Sequence, residues 1–430
     1  MYSPRVKVGA FVLEGLNAVA ASLFFNYVFF FMRDQFGFTN RGNLFLCAIN
    51  GAVYGVAVWF AGKFAQRRGY LVALRLGFLL MGGPLVLGSG LIPGVADHVL
   101  TQFAVVVVWS VGMSLTWPAF EAIASEGESP ARLQRFLGVY NVIWAGGGAV
   151  AYFIGGALLE RLGYRSIFLV PAALHLCQYA LVLVLEREHR DRSRASQPPV
   201  TPADTVVHEE QRHRPPVSPQ RFLKMAWVAN PFAYIAMNAL IPVIPKLAER
   251  FGLGPMLAGF FCSTWLFARA GSFVALWLWT GWHYRFRWLV AAYASMAACF
   301  VVILLGRSLW LLLGAQVVFG CAIGLIYYAS LYYSMDVGET KAEHGGFHEA
   351  AIGAGICAGP AIGAVSLQFF PAYPNMNTWA VAAVLVAGLG WLAALRRNSR
   401  PVPPPAGSAA CTQNNSLTRK RQAVKHRQVI

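Results

Sequence analysis

Long apolar runs constrain the fold of this 430-residue chain more than any other feature. Twelve of them are long enough, at about 20 apolar residues, to cross the hydrocarbon core of a membrane. Lipid offers no hydrogen-bond partner to bare backbone, so each run must be a helix. No small-residue cleavage site follows the first run, which we interpret as a retained anchor. The expected extents are 8–31, 43–62, 71–92, 99–121, 137–158, 166–185, 225–245, 256–280, 288–306, 308–333, 349–370 and 378–395.

A short motif occurs twice and divides the chain into two similar parts. The sequence GESPA at 127–131, followed by Phe136, returns as GETKA at 338–342, followed by Phe347, and each copy lies between two apolar runs. This pattern indicates the internal duplication of a membrane-spanning unit. We therefore expect an all-α polytopic membrane protein with twelve transmembrane helices in two pseudo-symmetric six-helix bundles. Paired halves of this kind are the arrangement on which transporters build a central binding site.

Two segments contain too few apolar residues to form a core. Residues 186–224 and 396–430 are rich in proline and charge, so we expect a disordered linker between bundles at 1–185 and 225–395, and a disordered basic tail. If the N-terminus is cytoplasmic, the cytoplasmic segments hold 27 of the 35 Lys and Arg residues. This bias predicts that both termini are cytoplasmic. The net charge of +17 then reflects topology and attraction to anionic lipid rather than nucleic-acid binding.

The connection between the second and third spans contains the most recognisable motif. Residues 62–69 read GKFAQRRG and are followed by Arg75. This segment resembles the signature of the major facilitator superfamily, in which the acid and bases of the loop latch the cytoplasmic helix ends. Gln66 departs from the family, which usually has aspartate there, so we expect Arg75 to pair with Glu121 instead. The resemblance implies a conformational latch made of Gly62, Gln66, Arg67, Gly69, Arg75 and Glu121.

A glycine-proline pattern in the eleventh span supports this resemblance. Gly355, Gly359, Pro360 and Gly363 match the pattern that superfamily exporters typically show in their fifth span. Glycines four apart form a smooth face that lets helices approach closely, and proline bends a helix. Packing alone explains most patterns of this type. Together the resemblances cover both halves and imply a secondary active transporter, similar to uncharacterised bacterial members related to drug exporters.

Ionisable side chains within spans are candidates for a binding site, because they are costly in hydrocarbon and rarely persist without a role. Glu14 is the only acid well inside a span, and with Asn17 three residues later it forms one polar helix face. It is either a proton-carrying or cation-binding acid, or part of a structural salt bridge. Arg269 is the only base at mid-membrane, and it either binds an anionic substrate or pairs with an acid.

Uncharged polar side chains form a second group of candidates. In the superfamily the first, fourth, seventh and tenth spans line the cavity, with the second, fifth, eighth and eleventh beside them. Polar residues on these spans either contact substrate or form hydrogen bonds between helices. His175 lies on the sixth span, which is usually peripheral, and we interpret it as a packed histidine. The candidates are Asn141, Trp144, Tyr152, Asn230, Asn238, Gln316, Tyr327 and Tyr328.

Motifs for metal, nucleotide or covalent chemistry are not found in the sequence. His344 and His348 lie four apart beside Glu349, but Gly345 and Gly346 intervene and the order His-Glu-x-x-His is absent, so we expect no metal site. There is no phosphate-binding Gly-x-x-x-x-Gly-Lys-Ser/Thr sequence, which argues against direct use of ATP. Without a cluster of nucleophile, base and orienting group, we expect neither an enzyme nor a cofactor.

These features predict a secondary active transporter that moves a small solute by alternating access around a midplane site. Our first hypothesis is export coupled to inward proton flow, with Glu14 exchanging the proton and pairing with Arg269 in one conformation. The alternatives are uptake of a small organic anion or sugar-like solute by symport, and a membrane sensor or scaffold that transports nothing. We expect a monomer in the inner or plasma membrane, with solute, lipid bilayer and proton as its partners.

Overall fold

Helices account for every regular element in the part of the chain that the structure describes. This computed structural model describes residues 2–127, 130–195, 219–337 and 341–397. Twelve of its helical segments are long and apolar enough to span a membrane, which confirms the expected all-α polytopic fold. The helices are α1 Pro4–Phe36, α2 Asn40–Arg68, α3 Tyr70–Gly88, α4 Val99–Ser125, α5 Pro130–Leu162, α6 Ser166–Ala195, α7 Pro219–Leu240, α8 Ile244–Arg250, α9 Pro255–Cys262, α10 Thr264–Leu278, α11 Phe286–Leu305, α12 Leu309–Val337, α13 Lys341–Phe369 and α14 Met376–Arg397.

The seventh span is interrupted, and the eighth is divided between α9 and α10. A 3₁₀ turn at Ile241–Val243 separates α7 from α8. Pro242 and Pro245 lie at this break, where proline removes a backbone donor and prevents a straight helix. Asn43 Nδ2 of α2 donates a hydrogen bond to the Pro242 carbonyl at 3.2 Å. A side chain of the first half therefore satisfies backbone that the broken helix leaves free, as the membrane interior requires.

The two halves, α1–α6 and α7–α14, meet at glycines. Among the described residues, α2 and α13 pack more extensively than any other helix pair. A Cβ atom at Gly51 would overlap the backbone of Cys357, and one at Gly353 would come within 2.6 Å of the Gly55 Cα atom. Gly156 of α5 approaches the start of α9 in the same way. Small residues are needed at these points because the two backbones almost touch.

Large apolar side chains cover the outside of the bundle. Phe60, Leu278, Trp310 and Phe369 are each more than half exposed. Exposed apolar surface of this extent would favour aggregation in water and fits a surface that faces lipid. Inside, one cluster of buried apolar residues extends through both halves, and a smaller one lies within the first half.

Helix α6 continues past the expected end of the first bundle at residue 185, as far as Ala195. Two ion pairs explain this extension. Glu186 contacts Arg75 of α3 at 2.9 Å, and Glu188 contacts Arg192 one turn further along α6 at 3.2 Å. The expectation of disorder from residue 186 onwards is therefore wrong for the first part of the linker, where charged side chains stabilise a helix.

The described residues leave part of the expected organisation untested. Helix α7 begins at Pro219, a few residues before the expected second bundle. Residues 196–218 and 398–430 lie outside the described part of the chain, as do portions of both copies of the repeated motif. Twelve spans are an even number, so the start of α1 and the end of α14 lie at one face of the bundle, which we call the terminal face.

Candidate functional site between the two halves

A cavity lies between the two halves, and the space among its lining atoms, including the part open to solvent, is about 990 Å³. Eight spans line it: the first, second, fourth and fifth from the first half, and the seventh, eighth, tenth and eleventh from the second. These are the spans that the family resemblance implied. The polar and aromatic lining residues are Ser22, Phe25, Asn26, Asn50, Tyr54, Trp109, Trp117, Glu121, Tyr140, Trp144, Tyr234, Asn238, Trp265, Arg269, Tyr327 and Glu349.

Two glutamates from opposite halves face this cavity. Glu121 on α4 and Glu349 on α13 have exposed fractions of only 9% and 5%. Their charges lie within electrostatic range of each other. Tyr54 of α2 donates a hydrogen bond to Glu349 Oε2 at 2.5 Å, so this contact also crosses between the halves. Neither carboxylate forms an ion pair within the described residues, and two like charges repel strongly where water is scarce.

Arg269 of α10 is the basic group of the cavity and is 8% exposed. Its guanidinium carbon lies 4.4 Å from the ring centre of Trp144 and 5.3 Å from that of Trp265. Nη1 contacts Met237 Sδ at 3.4 Å, and within the described chain Nε has no hydrogen-bond partner. The indole faces stabilise the cation. A thioether is only a weak acceptor, so the guanidinium retains donors for a further group.

Two tyrosines separate this arginine from the glutamates. Tyr234 of α7 and Tyr327 of α12 each lie within electrostatic range of Arg269 and also of Glu121 and Glu349. Within the described chain, no ion pair or hydrogen bond joins Arg269 to either glutamate. The cavity is therefore bipolar, with a basic end at Arg269, an acidic end at the glutamate pair and tyrosine side chains between them.

Polar contacts join the halves at the face opposite the terminal face. They are the ion pair between Arg33 and Glu249, a hydrogen bond from Arg41 Nη1 to Gln368 Oε1 at 2.6 Å, and one from the Met256 backbone N–H to Glu160 Oε2 at 3.1 Å. These contacts connect α1 with α8, α2 with α13 and α5 with α9. They hold the halves together on that side of the cavity.

Four of the candidate residues named from the sequence line the cavity: Trp144, Asn238, Arg269 and Tyr327. Glu14 does not. It is 1% exposed, and both of its carboxylate oxygens are without hydrogen-bond partners among the described residues. It lies within electrostatic range of Glu121, and Tyr140, which lines the cavity, lies within range of both acids. No ion pair joins Glu14 to Arg269 in this conformation, since the Arg269 contacts are those given above.

The remaining predicted contact residues lie beside the cavity rather than on its wall. Asn17 Nδ2 donates to Thr116 Oγ1 at 3.3 Å and so ties α1 to α4. Gln316 Nε2 donates to the Phe261 carbonyl at 3.0 Å, between α12 and α9. The Asn141 amide is buried without a hydrogen-bond partner in the described chain. Tyr328 packs edge-on against Trp282, with ring centroids 5.8 Å apart.

The expected latch between Arg75 and Glu121 is not formed. Arg75 pairs with Glu186 on α6, and Glu121 faces the cavity instead. The physical reason is the extension of α6, which carries an acid beyond the apolar run to the level of Arg75. Gln66 and Arg67 are exposed at the end of α2. The two glycines of the motif differ: Gly69 turns the chain with φ of 100°, whereas Gly62 has no close neighbour.

The glycine-proline segment of the eleventh span faces other helices. Cβ atoms at Gly355 and Gly359 would overlap the backbone of α7, and one at Gly363 would come within 3.1 Å of Leu44 on α2. Pro360 lies inside α13. These positions therefore set the packing of α13 on α7 and α2.

Sequence reasoning missed the acidic end of the cavity. It assigned Glu121 to the latch, and it treated Glu349 only as part of a rejected metal site with His344 and His348, whose side chains lie outside the described residues. An acid in the early part of α13, on a span adjacent to the cavity, was the signal that could have found it. Tyr54 carried no signal, because its role depends on a partner far away in the sequence.

A profile of the Major Facilitator Superfamily matches residues 10–345. The chain belongs to this superfamily. The cavity with Glu121, Glu349 and Arg269 lies between the two helical halves of this superfamily member.

Curated relatives of this superfamily member are transporters or resistance proteins. The MFS-type transporter ppzB of Metarhizium rileyi (strain RCEF 4871) is 27% identical over 239 residues, which cover 47% of each chain. The Multidrug resistance protein B homolog of Mycobacterium tuberculosis (strain ATCC 25618 / H37Rv) is 32% identical over 148 residues, or 34% of this chain and 25% of the relative. The chain thus spans about half or less of the length of these relatives.

A solved structure supports the same architecture for the superfamily member. It is described as "Structural insights into substrate recognition in proton dependent oligopeptide transporters" and superposes with a TM-score of 0.65 at 14% sequence identity. The superposition covers 91% of this chain and 99% of that one. At such low identity the likeness concerns the fold alone.

Proposed function

We propose that this superfamily member is a proton-coupled secondary transporter that exports a small solute by alternating access. One observation carries the proposal. Glu121 and Glu349 are buried acids from opposite halves, and they face one cavity close enough to interact. Ionisable groups in such positions are costly in a membrane and are characteristic of proton pathways.

The glutamate pair couples proton binding to the arrangement of the halves. When both carboxylates are ionised, their repulsion favours conformations in which α4 and α13 separate. A proton on Glu121 removes the repulsion and leaves Glu349 ionised, which favours the arrangement in which Tyr54 donates its hydrogen bond to Glu349 across the halves. Proton gain and loss thus shift the population between two conformations, which is the requirement for coupled transport.

Several titratable groups surround the pair and belong to the same proposal. Tyr54, Tyr140, Tyr234 and Tyr327 lie within electrostatic range of one or both glutamates, as does Glu14 for Glu121. Arg269 is the cavity's basic group and acts on the two central tyrosines. In this arrangement Glu14 is a further carboxylate that binds a proton, near Tyr140, and it does not contact solute.

The direction of transport rests on two arguments. The Lys and Arg distribution predicts a cytoplasmic terminal face, and a relative carries the name multidrug resistance protein, which favours export. Exchange of solute against proton at one carboxylate pair then uses the inward proton gradient. Uptake by symport is the alternative, and the liposome experiment described below distinguishes it from export.

The proposal is tested in liposomes with purified protein. A solute that raises the melting temperature in a library screen serves as the probe, because binding to the folded state raises apparent stability. We expect a pH gradient to drive accumulation of this probe. Glu121→Gln and Glu349→Gln should abolish proton-driven accumulation while sparing solute exchange, which moves no net proton. Glu14→Gln should likewise abolish proton-driven accumulation and spare solute exchange, as we expect from the sequence.

Glu188→Gln is the matched control, because Glu188 pairs with Arg192 at the end of α6, away from the cavity. It should keep full proton-driven accumulation. If both cavity variants also keep it, the pair is not the exchange site. If the wild-type protein binds the probe but moves none of it, a sensor replaces the transporter. The sign of the gradient that drives accumulation separates export from uptake.

A further inference from the structure

We propose that the transported solute is a small aromatic zwitterion, whose anionic group binds Arg269 and whose cationic group binds Glu349 and Glu121. This inference rests on the proposed function, because it gives the exchanging carboxylates a cation that replaces the proton. It assigns a chemical class of ligand to each end of the bipolar cavity.

The basic end requires an anion. Arg269 is buried on two indole faces, and the only polar contact to its guanidinium within the described chain is the weak one to Met237 Sδ. A buried charge without a counter-ion is costly, and one oxygen anion with two acceptor atoms would satisfy the planar donor edge. The indoles fix the plane of the guanidinium, so the anion is presented with one preferred orientation.

The acidic end requires a cation or a proton. Tyr54 donates one hydrogen bond to Glu349, and no Lys or Arg of the described chain pairs with either glutamate. With one proton shared by the pair, one negative charge remains. The cavity then holds one positive and one negative charge at separate ends, and a solute with the opposite arrangement neutralises both.

The middle of the cavity favours an aromatic body. Trp144 stacks on Tyr327 with ring centroids 5.3 Å apart, and Phe25 stacks on Trp109 at 6.1 Å. All four residues line the cavity, and Tyr327 lies within electrostatic range of both of its charged ends. Flat aromatic walls of this kind stabilise a ring by offset or edge-to-face packing.

A zwitterion also fits the proposed exchange better than a singly charged solute. An ammonium group at the glutamates competes with the proton, so that binding of solute releases a proton. A pure anion at Arg269 would instead favour proton binding nearby, which produces symport. A pure cation would compete with the proton but leave Arg269 without a counter-ion.

The test uses a square of four ligands on the purified full chain. 4-(Aminomethyl)benzoate carries both charges at opposite ends of one ring, 4-(aminomethyl)benzamide only the cation, 4-methylbenzoate only the anion, and 4-methylbenzamide neither. We expect the zwitterion to bind at least about tenfold more tightly than either singly charged ligand. Calorimetry in buffers of different ionisation enthalpy should detect proton release with the two ammonium ligands. Phenylalanine, phenylalaninamide and 3-phenylpropionate repeat the comparison at a shorter charge separation.

Two substitutions connect each charge to its partner. Arg269→Gln should remove the gain in affinity that the ligand's carboxylate provides and keep the gain that its ammonium group provides. Glu349→Gln should have the reverse effect. Arg269→Lys keeps the charge without the planar edge and should retain part of the carboxylate advantage. Arg287→Gln is the matched control, since Arg287 also lies over an indole, that of Trp288, but is exposed on α11. If a variant fails to fold, the wild-type ligand square still decides the question.

The outcomes separate this inference from the proposed function. Equal affinities for the zwitterion and the cation would overturn the zwitterion proposal, and so would an Arg269→Gln protein with unchanged relative affinities for the four ligands. Proton release on binding of the cation would still support proton exchange in either case. Failure of both ligand sets to bind also overturns the inference. A clear zwitterion preference with no flux under any pH gradient would keep the binding site and refute the transport function.

Discussion

At the scale of single residues, the buried charged side chains differ in whether an oppositely charged partner compensates them. Arg75 and Glu186 compensate each other at the end of the membrane-spanning region, with exposed fractions of 37% and 9%. Arg269 is instead held on two indoles, and Glu14 has no compensating donor in the described chain. The compensated pair supports the fold, whereas the uncompensated charges are those to which we assign solute binding and proton transfer in the proposed function.

The ion pair between Arg75 and Glu186 predicts unequal effects of single substitutions. Arg75→Gln leaves a nearly buried carboxylate without a cation, so it should destabilise the protein more than Glu186→Gln, which leaves a partly exposed arginine. A double-mutant cycle on denaturant unfolding in detergent should give a coupling energy of about 1 kcal/mol, discounted for exposure of the arginine.

The Glu188 and Arg192 pair on the same helix is the control for this cycle and should couple by only about 0.3–0.5 kcal/mol, as exposed helix pairs do. Additive effects of Arg75→Gln and Glu186→Gln would contradict the pairing. A coupling between Arg75 and Glu121 of similar size would restore the latch expected from the sequence.

At this scale the sequence was an incomplete guide. Arg269 and Glu14 were identifiable because an isolated charge in a long apolar run is visible without any structure. Glu349 lies near the start of its run and Glu121 near the end of its own, so neither was visible as an isolated charge within a run. Their meeting depends on how α4 and α13 pack, which no local pattern contains.

At the scale of helices, close backbone contacts at glycines determine how the halves meet. The backbones of α2 and α13 approach at Gly51 and Gly353, and those of α5 and α9 at Gly156. The sequence predicted spans well, because length and hydropathy suffice for that. It did not predict the break after α7 or the helical start of the linker, since both depend on partners, Asn43 for one and Arg75 for the other.

The contact at Gly51 predicts a strong effect of one added methyl group. In Gly51→Ala the new Cβ would overlap the backbone of α13, so the helices must separate. We expect a loss of about 1–3 kcal/mol of unfolding free energy, typical of overpacking, and a lower melting temperature. Gly62→Ala in the same helix is the control, because no other side chain or backbone segment lies within 4 Å of the methyl group it would add. It should be neutral or slightly stabilising, since alanine favours helix. Equal melting temperatures of the two variants would contradict this account.

At the scale of the whole molecule, the twelve spans place the start of α1 and the end of α14 at one face. The contacts between Arg33 and Glu249 and between Arg41 and Gln368 join the halves at the other face. The orientation in the membrane decides which of these two faces is cytoplasmic. The Lys and Arg bias predicts that it is the terminal face.

Topology is tested by cysteine labelling in intact cells, in a background without accessible native thiols. Ser218→Cys and Ser408→Cys, in the linker and tail, should resist an impermeant thiol reagent added outside. Ser308→Cys, exposed between α11 and α12, should react and serves as the positive control. Labelling of Ser218→Cys or Ser408→Cys from outside, with protection of Ser308→Cys, would invert the topology.

The position of Tyr54 has a consequence for regulation. Tyr54 lies on the same helix as Gly51 and Gly55, and Glu349 on the same helix as Gly353. The proposed proton site and the most extensive helix packing among the described residues are therefore parts of one contact. Linkage between binding and conformation is reciprocal. Anything that changes the crossing of α2 and α13, such as bilayer thickness or an antibody fragment on the terminal face, must therefore change proton affinity by the same factor that protonation changes the crossing. The membrane itself would then act as an effector of this protein.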